Sequence, residues 1–269
     1  MNFPALIAAL AVAAGSAANP NADLTGADAE SDDVRRHTVE ERAFASEGRH
    51  ELTAYPLTVQ VGSAWTRHWG VALAYTYHFT ERFAVQASPF FNYVSGESGF
   101  QRELIDKASI QSDAATALLL RGGAAAGIEL SPVDGKFVFG RVVLGHFSLS
   151  LSLGIGAAAT RVQLSEDGFG STGVRFIGTA GISARLAVAE RVAVRLELKD
   201  FIAAARIRKI NGCTHSDLTA LKDGGEAGSG CHASDLSELE RGNARQLLEE
   251  PSSSVLNHLS VLLGVSVLL

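Results

Sequence analysis

Cys213, His215, Cys231 and His232 are the residues whose types first suggest chemistry, because thiolates and imidazoles are the usual ligands of zinc. Their spacing argues against a metal site. Cys231 and His232 are adjacent, and the intervals of two to four residues that zinc motifs use are missing. Two cysteines flanking a Gly-rich segment predict instead a disulfide, Cys213–Cys231, in an oxidising compartment. In the chain-entropy view such a bridge contributes about 3 kcal/mol; metal ligation is the alternative. His146 with Ser148, and His258 with Ser260, set an imidazole beside a hydroxyl, as a nucleophile and its base require. Positions i and i+2 share a face in any strand, however, and neither pair has an acidic third member. Gly154-Ile155-Gly156 and residues 168–173 lack the strand–loop–helix context and the lysine of a phosphate-binding loop. The expectation is a non-enzymatic protein with no catalytic residue, no cofactor and no metal.

The remaining chemistry is charge on one face of a strand. Arg121 and Glu129 alternate with small residues in one stretch, and Arg195, Glu197 and Lys199 alternate with leucines in another. Opposite charges among Gly, Ala and Ser suit a crowded lumen, so these five are expected to pair inside a barrel.

The elements that would position them are strands. Phe147, Leu149, Leu151, Leu153 and Ile155 alternate with Ser148, Ser150, Ser152, Gly154 and Gly156. A period of two puts every apolar side chain on one face and every small polar one on the other. Roughly ten residues, tilted near 45°, cross a bilayer. Eight such strands are expected, over residues 51–61, 71–79, 83–93, 117–130, 147–159, 174–188, 191–206 and 255–269, with a bulge at Pro56. The fold class expected is all-β, an eight-stranded antiparallel up-and-down transmembrane β-barrel, the soluble alternative being a secreted lipocalin-type barrel. Residues 62–70, 95–115, 165–173 and 207–254 read as longer loops and the turns at Thr80 and Ala189 as tight ones, as outer-membrane barrels have. Residues 131–136, with Pro132 and Asp134-Gly135, read as a turn.

Residues 1–18 read as a signal peptide with small residues before a cleavage site after Ala18, and residues 19–50 as an acidic periplasmic linker. The barrel is expected over residues 51–269. A net charge of −6 with scattered basic residues gives no nucleic-acid footprint. Within the last loop, residues 235–250 predict a helix with Asp235 and Glu238 as its cap, Leu236, Leu239, Leu247 and Leu248 as its apolar stripe and Pro251 as its stop. Held by the disulfide, those leucines would lie on the barrel mouth; a disordered loop with a local crosslink is the alternative.

Thr38-Val39-Glu40-Glu41-Arg42, Gly48-Arg49-His50-Glu51-Leu52-Thr53, Tyr75-Thr76-Tyr77-His78-Phe79-Thr80-Glu81 and Arg195-Leu196-Glu197-Leu198-Lys199-Asp200 occur in order along the chain. In this they resemble the outer membrane β-barrel domain proteins common in myxobacteria and their relatives. The resemblance spans residues 38–269; it implies an eight-stranded barrel in the outer membrane and transfers no catalytic residues. Gly264, Val267 and Leu269 also resemble the carboxy-terminal signal read by the barrel-insertion machinery, although Leu269 is not aromatic. Outer-membrane lipid and that machinery are the expected partners, with an unidentified extracellular or envelope partner through the loops. Both termini are expected in the periplasm. The function expected is a structural or interaction scaffold with a plugged lumen, the alternative being a narrow channel for small solutes or a rim-located lipid-acting enzyme.

Overall fold

Alternation in the sequence becomes alternation in space. In the computed structural model, which describes residues 46–63, 66–98, 118–139, 143–249 and 255–269, eight strands run in chain order. They are β1 (His50–Gln60), β2 (Thr66–His78), β3 (Phe83–Glu97), β4 (Leu118–Phe139), β5 (Val143–Gln163), β6 (Phe169–Ala189), β7 (Val192–Ala204) and β8 (Val255–Leu268). Each pairs antiparallel with the next, and β8 returns to β1, so the sheet closes into an all-β, up-and-down barrel with no open edge. The signal peptide, most of the acidic linker, Trp65 and Pro251 lie outside the described residues. Among the described residues no helix is long and apolar enough to cross a membrane, which says nothing of strands.

Leu149, Leu151, Leu153 and Ile155 of β5 point outward and are exposed, while Ser148 and Ser150 are buried in the lumen. β2 repeats the pattern: Val71, Leu73 and Tyr75 lie outside, Ala72, Ala74 and Thr76 inside. In β1 the register slips between Tyr55 and Thr58 against β2, and between Ala54 and Leu57 against β8. Pro56 has no N–H for the ladder, so the bulge falls on it.

Three expectations about connections are corrected. Residues 131–136 are strand, not turn: β4 continues through a bulge between Leu130 and Val133 and runs on to Phe139, opposite Val143. The ladder resumes past Pro132, and Asp134 and Gly135 pair with Ser148 and Phe147. A Cβ at Gly135 would lie 2.7 Å from the Phe147 ring, so a larger residue there would have to displace it. The connections expected over residues 62–70 and 165–173 are also shorter, since β2 begins at Thr66 and β6 at Phe169. The turn between β2 and β3 is tight as expected, with Thr80 Oγ1 accepting from the amides of Arg82 and Phe83.

The long segment between β7 and β8 is folded. It holds α1 (His215–Lys222), a 3-10 turn (Ala233–Asp235) and α2 (Glu238–Glu249). Ile207, Ile210, Cys213, Leu218, Ala244 and Leu248 form one core with inward-facing Leu118 of β4 and Val162 of β5. The segment therefore seats on the long-loop mouth of the barrel as a cap.

Candidate functional site: the lumen and its cap

β1, β4, β6 and β7 bring their inward charges to one level. Glu51 Oε2 receives Arg185 Nη1 at 2.6 Å and lies 2.8 Å from His78 Nε2. Arg195 Nη2 donates to Glu129 Oε2 at 2.7 Å, and its other nitrogens approach Glu51 Oε1 at 3.8 Å and Glu197 Oε2 at 3.7 Å. Lys199 Nζ meets Glu197 Oε1 at 2.9 Å. Neutral donors fill in: Tyr55 O–H donates to Glu197 Oε2 at 2.6 Å, and Gln86 Nε2 to Glu129 Oε2 at 3.3 Å. Glu51, Glu129 and Glu197 thus face Arg185, Arg195 and Lys199, all buried. Opposite charges at these distances offset the cost of leaving water, which each alone could not.

Of the five residues expected in this network, Glu129, Arg195, Glu197 and Lys199 are brought together. Arg121 is not. A bulge between Leu120 and Gly122 against β5 shifts the phase of β4, turning Leu120 inward and leaving Arg121 exposed. Sequence reasoning missed Glu51, although Glu51, Thr53 and Tyr55 alternate up to Pro56, whose bulge hides the pattern from there on. Nor did it join Arg185 and His78 to that carboxylate. That step needs the register between strands distant in sequence.

A cavity of about 10 Å³, near the size of one water, is lined by Gln86, Ser88, Ser152, Thr179 and Lys199 among others. Further toward the long loops, Phe90 packs on Phe201 with ring centroids 4.7 Å apart, beside Leu120, Ala158 and Ile177.

The serine–histidine pairs produced by alternation engage other polar groups of the lumen. Ser148 Oγ accepts from Arg185 Nε at 3.0 Å, and His258 Nδ1 is occupied by Gln60 Nε2 at 3.1 Å. Cys213 and Cys231 form the disulfide, with Cα atoms 4.2 Å apart, so their sulfurs are not metal ligands. Among the described residues no group of three or more His, Cys, Asp or Glu side chains converges as a metal site.

The cap is fastened at several points. Asn243 Nδ2 of α2 donates to Leu164 O at 2.6 Å, and Ser165 Oγ to Glu240 Oε1 at 2.8 Å. Asn211 N–H donates to Ser171 O and Asn211 O accepts from His232 N–H, and the residue holds a positive φ of 48° that asparagine tolerates better than most residues. The cap of α2 differs from expectation: Ser237 and Glu240, not Asp235 and Glu238, form it, with Ser237 N–H on Glu240 Oε2 and Glu240 N–H on Ser237 Oγ. Leu236 and Leu248 are buried and Leu247 partly so, whereas Leu239 is exposed. α1, not foreseen in the sequence, has its own box of Thr214 and Asp217. Hydrogen bonds from Thr214 hold the Asp217 carboxyl below its ordinary range, and the Ser237 amide with the Ser165 and Ser237 hydroxyls does the same for Glu240. Comparison with protein-family models and with curated proteins finds no match for this chain.

Proposed function

We propose that this chain is an outer-membrane β-barrel, of the kind its sequence resembles, that works as a non-enzymatic structural or interaction scaffold presenting the loops at its capped end. One observation carries the reading: the barrel's polarity is inverted relative to a barrel in water. Leu153, Ile155 and Phe176 are 62%, 66% and 77% exposed on the outer wall, while Arg195, Glu51 and Glu197 are 0% exposed inside. A soluble protein rarely leaves so continuous an apolar surface in water, whereas lipid favours it.

The aromatic residues support the same reading. Tyr75, Tyr77, Phe79 and Phe83 cluster at the short-turn end, and Trp69 and Tyr93 lie outward toward the other. Trp69 and Phe79 are ten residues apart on one face. That is roughly 33 Å along a strand and about 25 Å along a barrel axis at a tilt near 40°, the height of an outer-membrane apolar band. The wall's partner is then lipid, and the barrel-insertion machinery is the partner in assembly. β1 begins and β8 ends at the short-turn end, which in such a membrane faces the periplasm. The balanced charges of the lumen and the cap over its mouth support a closed interior and leave the loop surface as the part available to a partner.

Fractionation and heat-modifiability test this. The protein should sediment with outer membranes, and the folded band should shift in mobility on boiling. Recovery in the soluble periplasm with no shift would overturn the assignment.

A further inference from the structure

The long-loop end of the lumen holds a chain of hydrogen bonds whose direction is set by its first donor. Leu120 N–H donates to His68 Nε2 at 3.0 Å, and a backbone amide can only donate. His68 therefore carries its proton on Nδ1, which donates to Gln60 Oε1 at 2.5 Å. That orients the Gln60 amide, so its Nε2 donates to His258 Nδ1 at 3.1 Å. His258 must then be protonated on Nε2, which is buried and has no hydrogen-bond partner among the described residues. Turning the Gln60 amide over gives no escape, because His68 would have to accept at both nitrogens. Both rings are thus neutral, and they are opposite tautomers.

The rings stand 5.0 Å apart, edge to face, and both are buried. Among the described residues, the groups nearest the two rings are neutral. β1 presents the amide of Gln60, β2 the hydroxyl of Thr66, β4 a backbone N–H, and β8 the hydroxyl of Ser260. From β5, the cation Arg161 reaches this level and donates from Nη2 to Ser95 O at 2.8 Å. On β3, Ser95 pairs with His68, and the Glu97 carboxylate lies two residues further out. On β7, Phe201 is opposite His258, with Lys199 two residues deeper in the lumen. Asp200, beside Phe201 on β7 and opposite Leu259, is on the other face of the sheet. His78, at the other end of the lumen, is unlike them, since Glu51 faces it at 2.8 Å.

We propose that His68, Gln60 and His258 form an acid-releasable latch that ties β1, β2, β4 and β8 together beneath the disulfide-stapled cap. A proton on His68 Nε2 faces the Leu120 N–H, and one on His258 Nδ1 faces the Gln60 amide, so in each case donor meets donor. Two charged rings would also repel each other and Arg161. Leu118 and Leu256, two residues outward from Leu120 and His258 on the same faces, pack in the core of the cap. Release of the latch therefore loosens the seat of the cap. The device belongs to the barrel itself and works in lipid or detergent alike.

The full chain refolded in detergent micelles tests it. At pH 7.5, imidazole 15N spectra should show His68 protonated on Nδ1 and His258 on Nε2. His68 protonated on Nε2, or either ring cationic at that pH, overturns the latch. Between pH 7.5 and 5, above the range in which Asp217 and Glu240 take up protons, exchange of the Leu120 amide is compared after correction for its intrinsic pH dependence. The open fraction should rise by about tenfold per pH unit for each proton taken up, and protease cleavage across residues 205–249 should rise with it. In the variant His68→Gln/His258→Gln both responses should be flat. A flat wild type, or a variant that responds as the wild type does, overturns the proposal. If the variant does not refold, the tautomers and exchange of the native chain decide it.

Discussion

Arg195 is the side chain on which the charge balance of the lumen depends, because it stands among Glu51, Glu129 and Glu197 at once. Its replacement, Arg195→Met, leaves buried carboxylates short of a cation and should cost about 3–5 kcal/mol, measured as a shift in urea unfolding of the refolded barrel. Tyr55→Phe removes a single donor to Glu197 and should cost about 1.5–3 kcal/mol, as a hydrogen bond to a charged group does. If Arg195→Met proved the milder of the two, the ion pairs would not be what closes the lumen. Gly264 works through Tyr55. A Cβ there would sit 2.6 Å from the Tyr55 ring and 2.7 Å from Ala54 O. Gly264→Ala should therefore destabilise by about 1–3 kcal/mol by displacing that ring.

Among the elements, β5 gives the clearest division between inside and outside. Leu151 is on the outer wall near the middle of the strand, and Leu151→Arg in a bilayer should cost about 2–4 kcal/mol. Ser150→Thr keeps the hydroxyl that meets Ser131 Oγ and should be the milder change. Equal losses at the two sites, in urea titrations of the barrel in vesicles, would contradict the assignment of faces. The cap is a second kind of element, built on the barrel and not into it. Replacing both Cys213 and Cys231 by Ser should leave barrel assembly intact, because neither lies in a strand of the barrel, while cleavage between Ile207 and Glu249 increases. Failure of the variant to assemble would mean the cap helps to form the barrel. The capping carboxylates add a pH dependence with a definite sign. Asp217 and Glu240 are held below their ordinary range in the folded cap, so their stabilisation is complete above about pH 4–4.5. It disappears as pH falls through the lower folded values. Circular dichroism should show the helical signal of the cap weakening there first, and a helical signal unchanged in that window would remove the caps from the account.

At the scale of the whole molecule, the proposed closure of the lumen bears on transport. Eight strands enclose a space that side chains can fill, and here ion pairs, aromatic rings and the cap fill successive levels of it. Purified protein in planar bilayers at neutral pH should give no steady current. Persistent open channels would replace the scaffold reading with that of a narrow pore.

The period-two patterns of β2, β5 and β8 determined the class of the fold and which residues face outward, because alternation depends only on neighbours along one strand. The spacing of Cys213 and Cys231, together with Leu236, Leu239, Leu247 and Leu248, suggested a stapled helix on the mouth, although Leu239 proves to be exposed. Phase errors arose where a bulge interrupts the ladder: at Leu120–Gly122, which sends Arg121 outward, and at Leu130–Val133, where Pro132 reads locally as a turn. A bulge is settled by the partner strand, so a single strand's pattern does not reveal it. The same holds for the two sites that matter most. Glu51 meets Arg185 across 134 positions of sequence, and Gln60 meets His258 across 198. His258 was legible as sharing the polar face of its strand, whereas Glu51 and Gln60 flank the Pro56 bulge and were not, and which groups share a level of the barrel follows from the register of all eight strands, which only closure of the ring sets.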